Sequence, residues 1–238
     1  MAISASGIEL PLPIRAVCDE LKRGIKEAWD AHANMDREKV LDSPLGKLVS
    51  AFGDCGAGNQ TYRRLAWLLF FVVRRSLDCW EHHRAEPKPF EAVAFLGGWI
   101  AAGMTPPRNA LPTLFGRMRD AVGRSSDPWK EFAKPGKPRF HEPKDCCYGE
   151  WACAASAVAY AMRFPVSADP FHAIFGLSDA DSAHDECGIH GEGFRHWFIN
   201  YAIPIAWAQR EMTHEEQDVF KNYDQEKIRQ WRESGRGT

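Results

Sequence analysis

Apolar residues recur at helical spacing along most of the chain. In the first segment they fall at Ile14, Val17, Cys18, Leu21, Ile25, Ala28 and Trp29. That is the i, i+3, i+4 spacing that lines one buried face of an α-helix. Ser6 and Glu9 stand at capping-box spacing ahead of it, with Pro11 and Pro13 competing to set the start. A short second helix is expected over 36–52, ended by Gly53, Gly56 and Gly58. Residues 60–83 predict a long helix with a stripe at Leu65, Leu68, Leu69, Val72, Cys79, Trp80 and His83. Its first half is apolar all round, which places it in the middle of the core. Pro87 and Pro89 open a helix through Phe90, Val93, Ala94 and Trp99, and Gly103 with Pro106 and Pro107 marks a turn. Leu111, Leu114, Phe115 and Met118 predict a further helix over 108–122.

The character changes over 123–144, where Pro128, Pro135, Pro138 and Pro143 alternate with Lys and Arg. This stretch reads as a linker, 123–147, between helical halves at 1–122 and 148–238, which either pack together or form one continuous domain. The second half opens with an Ala-rich helix over 149–162. Asp169 and Pro170 supply an N-cap and first residue for a short helix through Phe171, Ile174 and Phe175. A polar loop is expected from Ser178 to Gly193. After it comes a stripe at Phe194, Trp197, Phe198, Tyr201, Ile205, Ala208 and Met212, in a helix that Pro204 should kink. Thr213 and Glu216 form a capping box for a last helix whose face is Phe220, Tyr223 and Trp231. No segment alternates with period two over the length of a strand. The expected fold is therefore all-α, a multi-helix globular bundle of about eight or nine helices.

Composition narrows the function classes. A chain of 238 residues buries roughly three-quarters of its unfolded surface and needs neither disulfide nor metal to hold it. Lys and Arg number 30 against 32 Asp and Glu, a balance that argues against nucleic-acid binding. The longest apolar run, Leu65 to Val73, spans about 14 Å as helix, under half of a hydrocarbon core of ~30 Å. No membrane span is expected. Met1 to Leu10 lacks a basic stretch followed by a long apolar one, so no signal peptide is expected and a cytoplasmic location follows. In that reducing compartment Cys18, Cys55, Cys79, Cys146, Cys147, Cys153 and Cys187 read as free thiols.

The densest polar cluster runs from His184 to His196. Cys187, His190 and His196, joined by Cys147, offer the thiolate and imidazole donors that Zn²⁺ takes. Cys187 and His190 make a CxxH pair with no second matching pair, so a solvated loop is the competing account. Cys147, at the start of the Ala-rich helix, is the best placed thiol for nucleophilic chemistry, yet no family signature surrounds it. No GxxxxGK[ST] or GxGxxG occurs. No catalytic residue and no cofactor are therefore expected. The same loop carries Asp179, Asp181, Asp185, Glu186 and Glu192, an acidic surface able to complement a basic protein partner. The chain also holds 9 Trp, most of them on predicted helix faces, and aromatics left over from the core favour interfaces. The expectation is a non-catalytic protein-binding protein. The alternative is a metal- or thiol-dependent enzyme using Cys146, Cys147 and the 184–196 region.

Two stretches carry a resemblance. One is Leu65-Ala66-Trp67, then Cys79-Trp80, then Pro87 to Trp99 and Gly103; the other is the Ala-rich segment 151–161. Together they resemble bacterial helical immunity proteins of the Imm5-like group. The resemblance implies an all-α protein that neutralises a toxin by binding it, and it carries over no catalytic residues.

Overall fold

The computed structural model describes residues 5–22, 37–81, 88–103, 146–185 and 190–219, which are helical with no strand among them. The first helix, α1 (Leu12–Leu21), begins at the prolines, with Pro11 as N-cap and Pro13 in its first turn. Fixed φ angles at Pro11 and Pro13 set this start, and Ser6 and Glu9 lie ahead of it in non-helical chain. Ile14, Cys18 and Leu21 form its buried face, as their spacing requires.

The expected single helix over 36–52 is two, α2 (Arg37–Asp42) and α3 (Pro44–Ala51). Ser43 breaks it. Its hydroxyl accepts the Gly46 N–H at 3.1 Å and donates to the Val40 carbonyl at 2.6 Å, closing one helix while capping the next. Pro44 then sits in the first turn of α3, where its missing N–H costs nothing.

Helix α4 (Gln60–Glu81) is the axis of the molecule. The Asn59 side chain accepts the Tyr62 N–H at 2.8 Å and donates to the Asp54 carbonyl at 2.9 Å, fixing the helix start. Leu65, Leu68, Leu69, Val72 and Val73 are fully buried. α4 packs against α5 (Lys88–Ala101), α6 (Cys146–Ser167) and α7 (Pro170–Asp185). It also meets the closing helices, so residues on both sides of the expected linker share one hydrophobic core. The linker itself lies outside the described residues except for Cys146 and Cys147, which open α6. The helix expected over 108–122 and the face at Phe220, Tyr223 and Trp231 also lie outside them.

One further expectation is corrected and another is refined. α7 does not stop near Phe175 but continues to Asp185, so residues 178–185 are helix where a loop was expected. The last apolar stripe is helical without interruption over 190–208, and its irregularity is a π-helical turn set just before Pro204. α8 (His190–Trp197) passes into a π-helical turn, Phe198–Ala202, and then into α9 (Ile203–Ala208). The wider π turn, with the Ile203 N–H on the Phe198 carbonyl, ends next to Pro204 and accommodates the ladder bond that Pro204 cannot make. α9 ends at Gln209, in a left-handed conformation with φ 54°. Met212 therefore lies beyond this helix, packed against the core from the connecting chain. The Thr213–Glu216 capping box forms as expected: the Thr213 N–H reaches Glu216 Oε2 at 2.9 Å and the Glu216 N–H reaches Thr213 Oγ1 at 3.2 Å.

Candidate functional site

Two places combine chemistry with position. The first is the polar half of α7. The turn before it is built by Ala168, left-handed at φ 52°, and by Asp169, whose Oδ1 accepts the Phe171 N–H at 3.0 Å. This is the N-cap that the Asp-Pro pair predicts. Beyond it, Ala180 and Ala183 are fully buried, as are Ala154, Ala157 and Ala161 on α6. These small side chains let the two helix backbones approach closely. α7 is also flanked by α3, α4 and α8. At Gly176 the crossing over α4 is so close that an added Cβ would stand 2.9 Å from Leu69 Cδ2.

This enclosure buries polar side chains that a loop would have left in water. Ser178, Asp179, Asp181, Ser182 and His184 are each at most 6% exposed. Arg195 of α8 donates from Nε to Asp181 Oδ1 at 3.2 Å. Ser182 donates to the Ser178 carbonyl at 2.8 Å. The His184 ring stacks on Phe194 at 4.4 Å between centroids. Burial pushes the Asp179 carboxyl up to about 7, offset in part by a hydrogen bond with Ser156 of α6. The Tyr160 hydroxyl is raised by burial first and by the neighbouring Asp179 second.

Two of the five residues of the acidic contact surface expected over 178–192 are not at the surface. Asp179 and Asp181 are interior residues and cannot meet a partner, because the helix carrying them is covered on several sides. The side chains of Asp185 and Glu192, and all of Glu186, lie outside the described residues. Of the four residues considered for Zn²⁺, His196 is exposed on α8. Cys147 lies in the first turn of α6 and His190 opens α8, but their side chains lie outside the described residues, as does Cys187. Among the described residues no group of three or more His, Cys, Asp or Glu is arranged to hold a metal. Sequence reasoning missed Ser156, Tyr160 and Arg195. Ser156 had a signal, as a polar residue interrupting the alanine run of α6.

The second place is an aromatic recess of about 190 Å³ where the start of α4 meets the end of α5 and the turn after α9. Tyr62, Trp67, Trp99 and Ile100 wall it, with Arg63 and Gln209 at its edge. Tyr62 is held in place from behind. Its hydroxyl donates to the Pro165 carbonyl at 2.8 Å, and its ring stacks on Phe164 at 5.4 Å. Trp99 meets the Tyr62 ring edge-on at 6.4 Å and 84°. Trp67 is 7% exposed, while Trp99 and Ile100 are half-buried. Two residues after Tyr62 on α4, Arg64 lies over the Trp207 ring at 3.3 Å and donates from Nε to the Trp207 carbonyl at 3.1 Å. This clamp joins α4 to α9 and carries the turn that presents Gln209. No protein-family model, no curated protein and no solved structure matches this chain.

Proposed function

We propose that the protein acts without catalysis, by binding a protein partner, and that the aromatic recess between α4 and α5 receives an apolar side chain of that partner. The observation that carries this is the make-up of the recess. Trp99 and Ile100 are half-buried around a concavity of about 190 Å³, with Arg63 at the edge. Trp, Tyr and Arg dominate the binding energy of protein interfaces, and they do so from concave, nearly dry positions. Tyr62 is already fixed by its bond to Pro165, so little side-chain entropy is lost when the recess fills. Toxin neutralisation is one form of such binding, supported by the likeness of segments 65–103 and 151–161 to helical immunity proteins.

The test compares the wild-type protein with Trp99→Ala as bait after chemical cross-linking in lysate of the source cell. The expected result is a partner held by wild type and reduced at least about tenfold by Trp99→Ala, the size of an interface anchor worth more than ~1.4 kcal/mol. Equal recovery by both baits would refute the recess as the contact. Recovery of neither would count against protein binding itself.

A further inference from the structure

Further along α4, Phe71, Arg74 and Arg75 share one side of the helix at i, i+3 and i+4. They form one wall of a pocket of about 210 Å³. Trp197, where α8 passes into the π turn, forms the second wall. Met212 and Asp218, from the chain that carries the Thr213–Glu216 box, form the third. Gln217 Nε2 donates to the Met212 carbonyl at 3.2 Å, which ties that wall together. The pocket shares no residue with the aromatic recess.

Its inner end is apolar and its mouth is cationic. Phe71 is 4% exposed and Trp197 2%, whereas Arg74 stands in solvent. Arg75 and Asp218 each hold contacts within the fold. Arg74 makes no ion pair or side-chain hydrogen bond among the described residues. With two guanidinium groups against one carboxylate, the walls carry one positive charge in excess. The fold also leaves a donor over in the wall, since Trp197 Nε1 is enclosed with no hydrogen-bond partner. An excess cation and an unmet donor beside buried rings favour a ligand with one negative charge, acceptor oxygens and an apolar body. The Asp218 carboxylate disfavours a dianion. A cavity of ~150 Å³ takes up benzene, so this pocket has room for a single ring bearing a carboxylate.

We propose that this pocket is a binding site for a small monocarboxylate with an apolar body, of the size of benzoate, its ring against Phe71 and Trp197 and its carboxylate on the Arg74 guanidinium. Arg offers two parallel N–H donors that match a carboxylate, which the point charge of Lys does not. A ligand seated there touches α4, the end of α8 and the chain beyond α9 at once.

The test is titration of the whole protein with sodium benzoate, followed by calorimetry and by the indole ¹⁵N–¹H resonance of Trp197. Wild type should bind one benzoate with a Kd of about 1 mM or tighter. The Trp197 resonance should shift along the same saturation curve. Arg74→Gln, at an exposed position, should weaken binding at least about tenfold. Arg74→Lys, which keeps the charge and loses the fork, should fall between the two. Benzyl alcohol, the neutral counterpart, should bind at least about tenfold more weakly than benzoate. No saturable binding of benzoate, equal affinity in Arg74→Gln, or binding without movement of the Trp197 resonance would overturn the proposal. Inorganic phosphate or benzyl alcohol binding as tightly as benzoate would overturn the ligand class.

Discussion

At the scale of single residues, the glycines separate positions that need no side chain from positions that merely lack one. A Cβ on Gly46 would run into the backbone of Val40 and Leu41, atoms that cannot swing aside. Gly98 sits in α5 with nothing within 4 Å of where a Cβ would be. Gly98→Ala should therefore stabilise the protein by about 0.5–1 kcal/mol through helix propensity alone. Gly46→Ala should destabilise it by more than ~2 kcal/mol, since the α2–α3 corner must open. Urea denaturation of the two variants checks both signs. Tyr62→Phe removes the donor to the Pro165 carbonyl and leaves that acceptor buried, at a cost of about 1–3 kcal/mol in the same assay.

At the scale of elements, what was legible in the sequence was what is decided locally. The Asp169–Pro170 start of α7 and the Thr213–Glu216 box involve residues two or three positions apart, so spacing alone reveals them. The buried faces of α1 and α4 were legible because an apolar stripe at helical period has one sensible destination. The second half of α7 was not. Ser178, Asp179, Asp181, Ser182 and His184 carry the composition of a turn, and only the close approach of α6 and the flanking of α3, α4 and α8 make them interior. Propensity lost to tertiary enclosure there. The recess was half legible: the Trp residues fell on predicted helix faces, but which of them meet depends on how α4 crosses α5. The Thr213–Glu216 box supports its own test. Arg210 grips the Glu216 carboxylate through both terminal guanidinium nitrogens, and that bond holds Glu216 below its usual range. Thr213→Ala should cost about 1 kcal/mol, read as a fall of about 2–4 °C in Tm. Glu216's contribution is present above its unfolded pKa and fades as pH falls through its depressed folded value, so the cost of Glu216→Gln should shrink on acidification.

At the scale of the whole molecule, two carboxylates pull the pH profile in opposite directions. Glu216 adds stability that acid removes. Asp179, raised to about 7 by burial, is favoured in the fold while protonated, and its contribution is lost as pH rises between the ordinary carboxyl range and 7. His172, held low by burial, acts against the fold as pH drops through the ordinary imidazole range. The difference between proteins isolates Asp179: Asp179→Asn should gain Tm relative to wild type from pH 5 to pH 7 and hold that gain above it. The claim that this all-α protein works through the recess is tested most directly by site-specific photo-cross-linking. A benzophenone amino acid placed at Ile100, on the recess wall, is compared with one at Asp19, exposed on α1. The account predicts a discrete adduct with one partner from position 100 and none from position 19. The same adducts from both positions, or none from position 100, would contradict it.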